Sequence, residues 1–258
     1  NKELMRKDAP IGVFDSGVGG LTVVREIMRQ IPNEKIIYFG DTARVPYGSK
    51  SQDTVIRFSE QDVRFLRTFD VKTIVVACNT ASVCAGDELR QAYAPLFDVV
   101  LPTVYAVKQS GAKRVAVLAT KLTVQSGVYE RLLAKCGVDV TSVDCGEFVG
   151  LVESNAPAGQ RLEVVKSHLS DICGKVQTVA LCCTHFDYLL SEIRSVVGCN
   201  ANIVSSSRAL AESCVNALAC NEQATSSQKG QTVYLSSKND NVYKISQQTR
   251  LPFQPFVL

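Results

Sequence analysis

The sequence is poor in histidine, with only His168 and His185, and its ten cysteines contain no C-x-x-C pair. Structural zinc sites draw on that spacing or on Cys/His mixtures, so no metal site is expected. No stretch approaches the roughly 18 apolar residues of a membrane-spanning helix. No run of five like charges occurs, and 28 basic residues against 25 acidic leave a net charge of +3. Nucleic acid and membrane surfaces are therefore not expected as partners. Residues Asn1–Pro10 lack the apolar stretch of a signal peptide. The expectation is a cytoplasmic chain whose thiols stay reduced, with a core that 258 residues can build without disulfides.

What is present is an alternation of short apolar runs and amphipathic stretches. Ile11–Phe14, Lys35–Phe39, Thr73–Ala77, Val99–Leu101, Arg114–Ala119, Asp139–Val143, Val176–Leu181, Ile203–Ser205 and Thr232–Leu235 read as strands. Leu21–Gln30, Ser51–Phe69, Tyr129–Cys136, Arg161–Asp171 and Tyr188–Val197 read as helices. Strands that are apolar throughout, separated by helices, predict parallel sheets covered on both faces. Ligands of such sheets sit beyond the carboxyl ends of the strands.

A faint internal repeat runs through this pattern. Thr73-Ile-Val-Val-Ala-Cys78 aligns with Thr178-Val-Ala-Leu-Cys-Cys183, 105 residues on, and Pro10–Ser16 aligns with Arg114–Thr120, 104 residues on. β-branched strands also resemble one another by chance; read as a duplication, the repeat predicts two similar α/β domains with the active site in the cleft between them. Pro102 and Thr103–Ser110 mark the expected hinge, and Asn221–Gln231 reads as a polar loop. The last strand, followed by a short helical segment, is expected to pack back on the first half. The first domain then spans 1–102 plus 212–258, and the second 103–211.

Four segments place polar residues just after an apolar strand. The first is Asp15-Ser16-Gly17-Val18-Gly19-Gly20. It is no P-loop, because no Gly-Lys-Ser/Thr follows, and Thr22 stands where a dinucleotide fingerprint needs its third glycine. It reads as a tight turn, or as a loop whose N–H groups meet a small anion at a helix start, and Asp15 favours a substrate that also carries an ammonium. The second is Gly40–Ser49, a shaped loop containing Pro46, Tyr47 and Gly48. The third and fourth are Cys78-Asn79-Thr80 and Cys182-Cys183-Thr184-His185, at matching strand-to-helix junctions. A cysteine there feels the helix N-terminus, which favours its thiolate. Adjacent Cys182 and Cys183 point to opposite sides of an extended backbone, and the repeat together with Thr184-His185 selects Cys183 as the exposed one. Two thiols facing one cleft suit inversion of a stereocentre, with a base on one face and an acid on the other.

These residues are identified as a family pattern. Val13–Gly20, Gly40–Gly48, Ala77–Ser82, Cys183–His185 and Cys145–Glu153 resemble the glutamate racemases of the aspartate/glutamate racemase superfamily. The resemblance implies interconversion of L- and D-glutamate without a cofactor, supplying D-glutamate for peptidoglycan, and leaves a homodimer open. It implies that Cys78 takes the proton from D-glutamate and Cys183 from L-glutamate, assisted by Asp15, Glu153 and His185. It further implies that Asp15, Ser16, Pro46, Tyr47, Gly48, Asn79, Thr80, Thr184 and His185 hold the substrate. The chain departs from the family's usual Gly-Cys-Thr-His-Tyr-Pro, with Cys182 for the glycine and Phe186-Asp187 for Tyr-Pro, and it has Gly146 and Gly150 where prolines are common. The competing readings are another superfamily member such as an aspartate racemase or a decarboxylase of substituted malonates, and a non-catalytic two-domain small-ligand-binding protein. A Rossmann-type oxidoreductase is disfavoured by the missing fingerprint.

Overall fold

The computed structural model describes residues 7–220, 224–225, 230–238 and 255–257. The first half supplies β1 (Ile11–Asp15), α1 (Leu21–Gln30), β2 (Ile36–Gly40), α2 (Gln52–Arg67), β3 (Thr73–Val76), α3 (Asn79–Tyr93) and β4 (Leu96–Asp98). Helix α4 (Val100–Gln109) leads into β5 (Arg114–Ala119), α5 (Lys121–Ser126), α6 (Val128–Ala134), β6 (Asp139–Asp144), α7 (Glu147–Glu153) and α8 (Ala158–Leu169). Then come β7 (Thr178–Cys182), α9 (Leu190–Val197), β8 (Asn202–Ser205) and α10 (Ser206–Cys220), followed by β9 (Thr232–Ser236) and β10 (Pro255–Val257).

The strands pair in two sheets, ordered β10-β9-β2-β1-β3-β4 and β6-β5-β7-β8. Every pairing is parallel. The reason lies in composition: β1, β3 and β7 are buried at every position, as strands covered on both faces must be. Helix α1 turns Val23, Val24 and Ile27 inward and leaves Arg25 and Arg29 exposed. Helix α2 starts where the Ser51 hydroxyl accepts from the Thr54 N–H at 3.3 Å. On its buried side Phe65 packs against Phe39 with ring centroids 4.8 Å apart.

The internal repeat has a structural counterpart. The order β2-β1-β3-β4 recurs as β6-β5-β7-β8, so β1 corresponds to β5 and β3 to β7, as the two alignments require. Asp15, Cys78, Ala119 and Cys183 consequently stand at or just beyond the carboxyl ends of the inner strands.

Two expectations are corrected. Val99–Leu101 is not a strand: β4 lies at Leu96–Asp98, and Val100 already opens α4. Asp98 Oδ1 accepts from the Val100 N–H at 3.0 Å and starts the helix, and Pro102 sits in its first turn, where a missing N–H costs nothing. The stretch expected as a hinge, Thr103–Ser110, is therefore largely helical. Both expected domain boundaries, after 102 and after 211, fall inside helices α4 and α10. The short helical segment expected after β9, and most of the polar loop before it, lie outside the described residues. Among the described residues no helix is long and apolar enough to cross a membrane.

Candidate active site

A small, nearly closed cavity lies between the carboxyl ends of the two sheets. Its walls are Ser16, Pro46, Tyr47, Gly48, Cys78, Asn79, Thr80, Thr120, Val149, Cys183, Thr184 and His185. Eleven of these come from loops that follow strands or from the first residues of the next helix. Asp15 and Glu153 stand behind this wall, joined to Thr184 and His185.

Cys78 is the N-cap of α3. Its Sγ accepts from the Ala81 N–H at 3.5 Å and lies 3.6 Å from Ser16 Oγ. Burial pushes this thiol well above its ordinary range, and the nearby Asp15 charge pushes it further; the Ala81 and Ser16 hydrogen bonds work in the opposite direction. Cys183 follows β7, with its Sγ 3.8 Å from His185 Nδ1. His185 Nε2 lies 2.6 Å from Glu153 Oε1, forming a Cys183–His185–Glu153 chain. Burial disfavours the imidazolium, but the hydrogen bonds to Cys183 and Glu153 outweigh it and raise His185 well above the usual histidine range. Burial would raise Glu153 as well, yet the hydrogen bond and charge of His185 hold it below the ordinary carboxylate value.

Adjacent Cys182 and Cys183 part company as an extended backbone requires. Cys182 is fully buried in the core of the second sheet with Val115, Val117 and Tyr129, whereas Cys183 reaches the cavity.

The glycine loop behaves differently from a phosphate cradle. Gly17 N–H and Gly20 N–H both donate to Asp15 Oδ2, at 3.2 and 3.1 Å, and Val18 N–H donates to Glu153 Oε1 at 3.3 Å. The anions at this helix start are the protein's own carboxylates. Thr184 Oγ1 donates to the other Asp15 oxygen at 3.3 Å. Burial raises the Asp15 carboxyl, opposed by the His185 charge and the two glycine N–H groups. The glycines serve close approach: a Cβ on Gly19 would collide with Thr184 Oγ1 and come within 2.6 Å of His185 Nδ1.

Asn79 and Thr80 are both held from the opposite unit. Asn79 Oδ1 accepts from the Tyr129 hydroxyl at 2.5 Å and Asn79 Nδ2 donates to Ser206 Oγ at 3.1 Å. Thr80 Oγ1 lies 2.9 Å from Thr120 Oγ1. His168 is away from the cavity floor, stacked edge-on against Phe148 with centroids 5.2 Å apart. No group of three His, Cys, Asp or Glu side chains close enough to hold a metal ion occurs among the described residues.

Sequence reasoning gave no site role to Thr120, Val149, Tyr129, Asp41 and Asp62, although the first, second and fourth lie in segments it singled out. Thr120 was within reach, since the repeat aligns it with Ser16 and both line the cavity. Tyr129 and Asp62 sit on helices, 50 and 15 residues from their partners Asn79 and Tyr47, and carry no local signal.

A family model of Asp/Glu/Hydantoin racemases matches residues 11–214. The chain is 43% identical over 206 residues to the glutamate racemase of Aquifex aeolicus, covering 79% of this chain and 81% of that protein. Among solved structures it is similar to a glutamate racemase isoform of Bacillus anthracis, with TM-score 0.91 and 31% identity over 98% and 97% of the two chains. It is also similar to the glutamate racemase of Francisella tularensis in complex with D-glutamate, with TM-score 0.88 and 31% identity over 96% of each chain. Sequence, sheet order and cavity thus point the same way, and the chain belongs to the Asp/Glu/Hydantoin racemase family.

Proposed function

We propose that this protein interconverts L- and D-glutamate by proton transfer at Cα between Cys78 and Cys183, with no cofactor. The observation that carries the reading is that these two of the ten cysteines line one small cavity from opposite sheets. Binding alone needs no such pair.

In the L-to-D direction Cys183 passes its proton to His185, whose imidazolium is held by Glu153. The Cys183 thiolate removes the α-proton of L-glutamate, and the Cys78 thiol delivers a proton to the opposite face. Cys78 is left as a thiolate, which the Ala81 N–H and the start of α3 stabilise. The reverse direction exchanges the roles. Ser16, Pro46, Tyr47, Gly48, Thr80 and Thr184 bound the substrate. Asp15 acts through Thr184 and through its charge beside Cys78, while Asn79 positions the start of α3. The product serves cytoplasmic peptidoglycan synthesis. The two units are 1–102 plus 212–258 and 103–211, joined through helices α4 and α10.

The test is incubation with L-glutamate in D₂O without added cofactor, following optical rotation and the Cα–H NMR signal. Both signals are expected to vanish. Positioned acid–base groups contribute about 10²–10⁴ in rate, so Cys78→Ser and Cys183→Ser should each lose racemisation by that order. Full racemisation in Cys183→Ser would overturn the two-thiol mechanism, and turnover of aspartate in preference to glutamate would overturn the substrate.

A further inference from the structure

The loop after β2 brings Pro46, Tyr47 and Gly48 into the cavity wall, yet what holds it lies on the far side of Tyr47. The Tyr47 hydroxyl is 2.5 Å from Asp41 Oδ2 and 2.7 Å from Asp62 Oδ2. Arg44 spans the same two carboxylates, Nε to Asp41 Oδ2 at 2.5 Å and Nη2 to Asp62 Oδ1 at 2.8 Å. Both Asp side chains are essentially buried.

Counting protons exposes a requirement. An ionised carboxylate only accepts, and a phenol has one proton to donate. With both carboxylates ionised, the Tyr47 oxygen would turn a lone pair toward one of them at hydrogen-bond distance in a buried site, and the single Arg44 charge would face two carboxylates. With one carboxyl protonated, the chain closes: Asp62 donates to the Tyr47 oxygen and Tyr47 donates to Asp41. Arg44⁺ and Asp41⁻ then balance, and no charge is left over.

We propose that Asp41, Tyr47 and Asp62 hold one carboxyl proton among them, and that this protonated array positions Pro46–Gly48 against the substrate. The proposal rests on the glutamate racemisation proposed above. Asp62, on α2, is a positioning residue that acts through Tyr47. The titratable and charged groups facing it are Asp41, Arg44 and Tyr47, all from the β2–α2 loop. From the end of β9 the neighbour is the Ser237 hydroxyl, which donates to Asp41 Oδ1 at 2.8 Å. Burial, and then the Asp41 charge, push Asp62 up to about 7. Losing the proton as pH rises sets the carboxylate against the Tyr47 oxygen, loosens the loop and weakens substrate binding.

Asp62→Asn keeps the geometry with a permanent donor: its amide N–H replaces the carboxyl proton and its amide oxygen accepts from Arg44. Between pH 7 and 9 the KM of the parent should climb relative to that of Asp62→Asn by up to about fiftyfold, as the competent fraction falls, while kcat moves together in the two chains. Asp62→Ala, which cannot close the chain, should show the raised KM at every pH. Melting temperature gives a readout that needs no activity. A carboxyl raised in the folded state stabilises most below the ordinary carboxylate range and loses that contribution as pH rises to its folded value. The parent should therefore lose melting temperature against Asp62→Asn from about pH 4 to about pH 7, and hold a constant difference above that. Parallel KM profiles would overturn the positioning role, and a pH-independent melting difference would overturn the stored proton. If no chain racemises glutamate, the functional reading fails while the melting comparison still decides the proton.

Discussion

The Tyr129 hydroxyl, on α6 of the second unit, donates to Asn79 Oδ1, on α3 of the first, at 2.5 Å. Asn79 follows Cys78 directly, so this bond reaches across the cleft to the residue that starts the thiol-bearing helix. Tyr129→Phe removes the donor and leaves a buried amide oxygen unpaired, a loss of about 1–3 kcal/mol. Urea unfolding should register that loss. Steady-state kinetics should show kcat falling more than KM rises, because the bond orients a thiol and touches no substrate.

Glu153 gives a pH-dependent prediction. Its carboxyl is held below the ordinary value by His185, with burial opposing. A lowered carboxylate stabilises the fold above its ordinary range and loses that contribution as pH falls through the lowered value. Glu153→Gln should therefore flatten the acid limb of the stability profile. Without its carboxylate partner His185 should drop toward or below the usual histidine range, and kcat/KM should fall by about 10²-fold. NMR titration of the imidazole protons measures the first effect, and racemisation rates measure the second.

Gly19→Ala tests the reading of the glycine loop. The added methyl meets the Thr184 hydroxyl and the His185 ring, so the loop must retreat from the second unit. Overpacking of this kind costs about 1–3 kcal/mol. Activity should fall at least as steeply as in a Thr184 variant, since both sides of the cleft move. A fully active, equally stable Gly19→Ala would restore the view of these glycines as an anion cradle.

Lys72 and Glu34 form an ion pair at 2.6 Å with both side chains excluded from solvent, and Lys72 Nζ also donates to the Lys7 carbonyl at 2.8 Å. Removing one member strands a buried charge, so Lys72→Met should cost about 3–5 kcal/mol, and adding Glu34→Leu should recover part of it. Lys72 and Glu34 precede β3 and β2, at the opposite strand ends from Cys78 and the Pro46–Gly48 loop, so kcat should survive in whatever fraction remains folded.

How much of this was legible beforehand follows from where each signal resides. Strands buried on both faces write continuous apolar runs, and Ile11–Phe14, Thr73–Ala77 and Arg114–Ala119 fall on β1, β3 and β5 within a residue or so. Val99–Leu101 misled because three apolar residues fit a strand or the first turn of a helix equally, and only the Asp98 bond to Val100 decides. The thiols stood out because matched strand ends place them. Asp62 and Tyr129 could not, because each is one polar residue on an amphipathic helix until the fold brings it to Tyr47 or Asn79.

The position of β9 has a consequence for how the chain is made. Strand β2 pairs with β1 on one side and with β9 on the other, and some 190 residues of sequence separate β2 from β9. A ribosome delivering this chain completes the four-stranded sheet before it reaches residue 232. Until then Ile36-Ile37-Tyr38-Phe39 is an unprotected sheet edge of apolar residues, the kind of surface that recruits strands from other chains. Nascent chains stopped short of β9 should therefore be the aggregating species, whereas those extended through Ser236 have that edge covered.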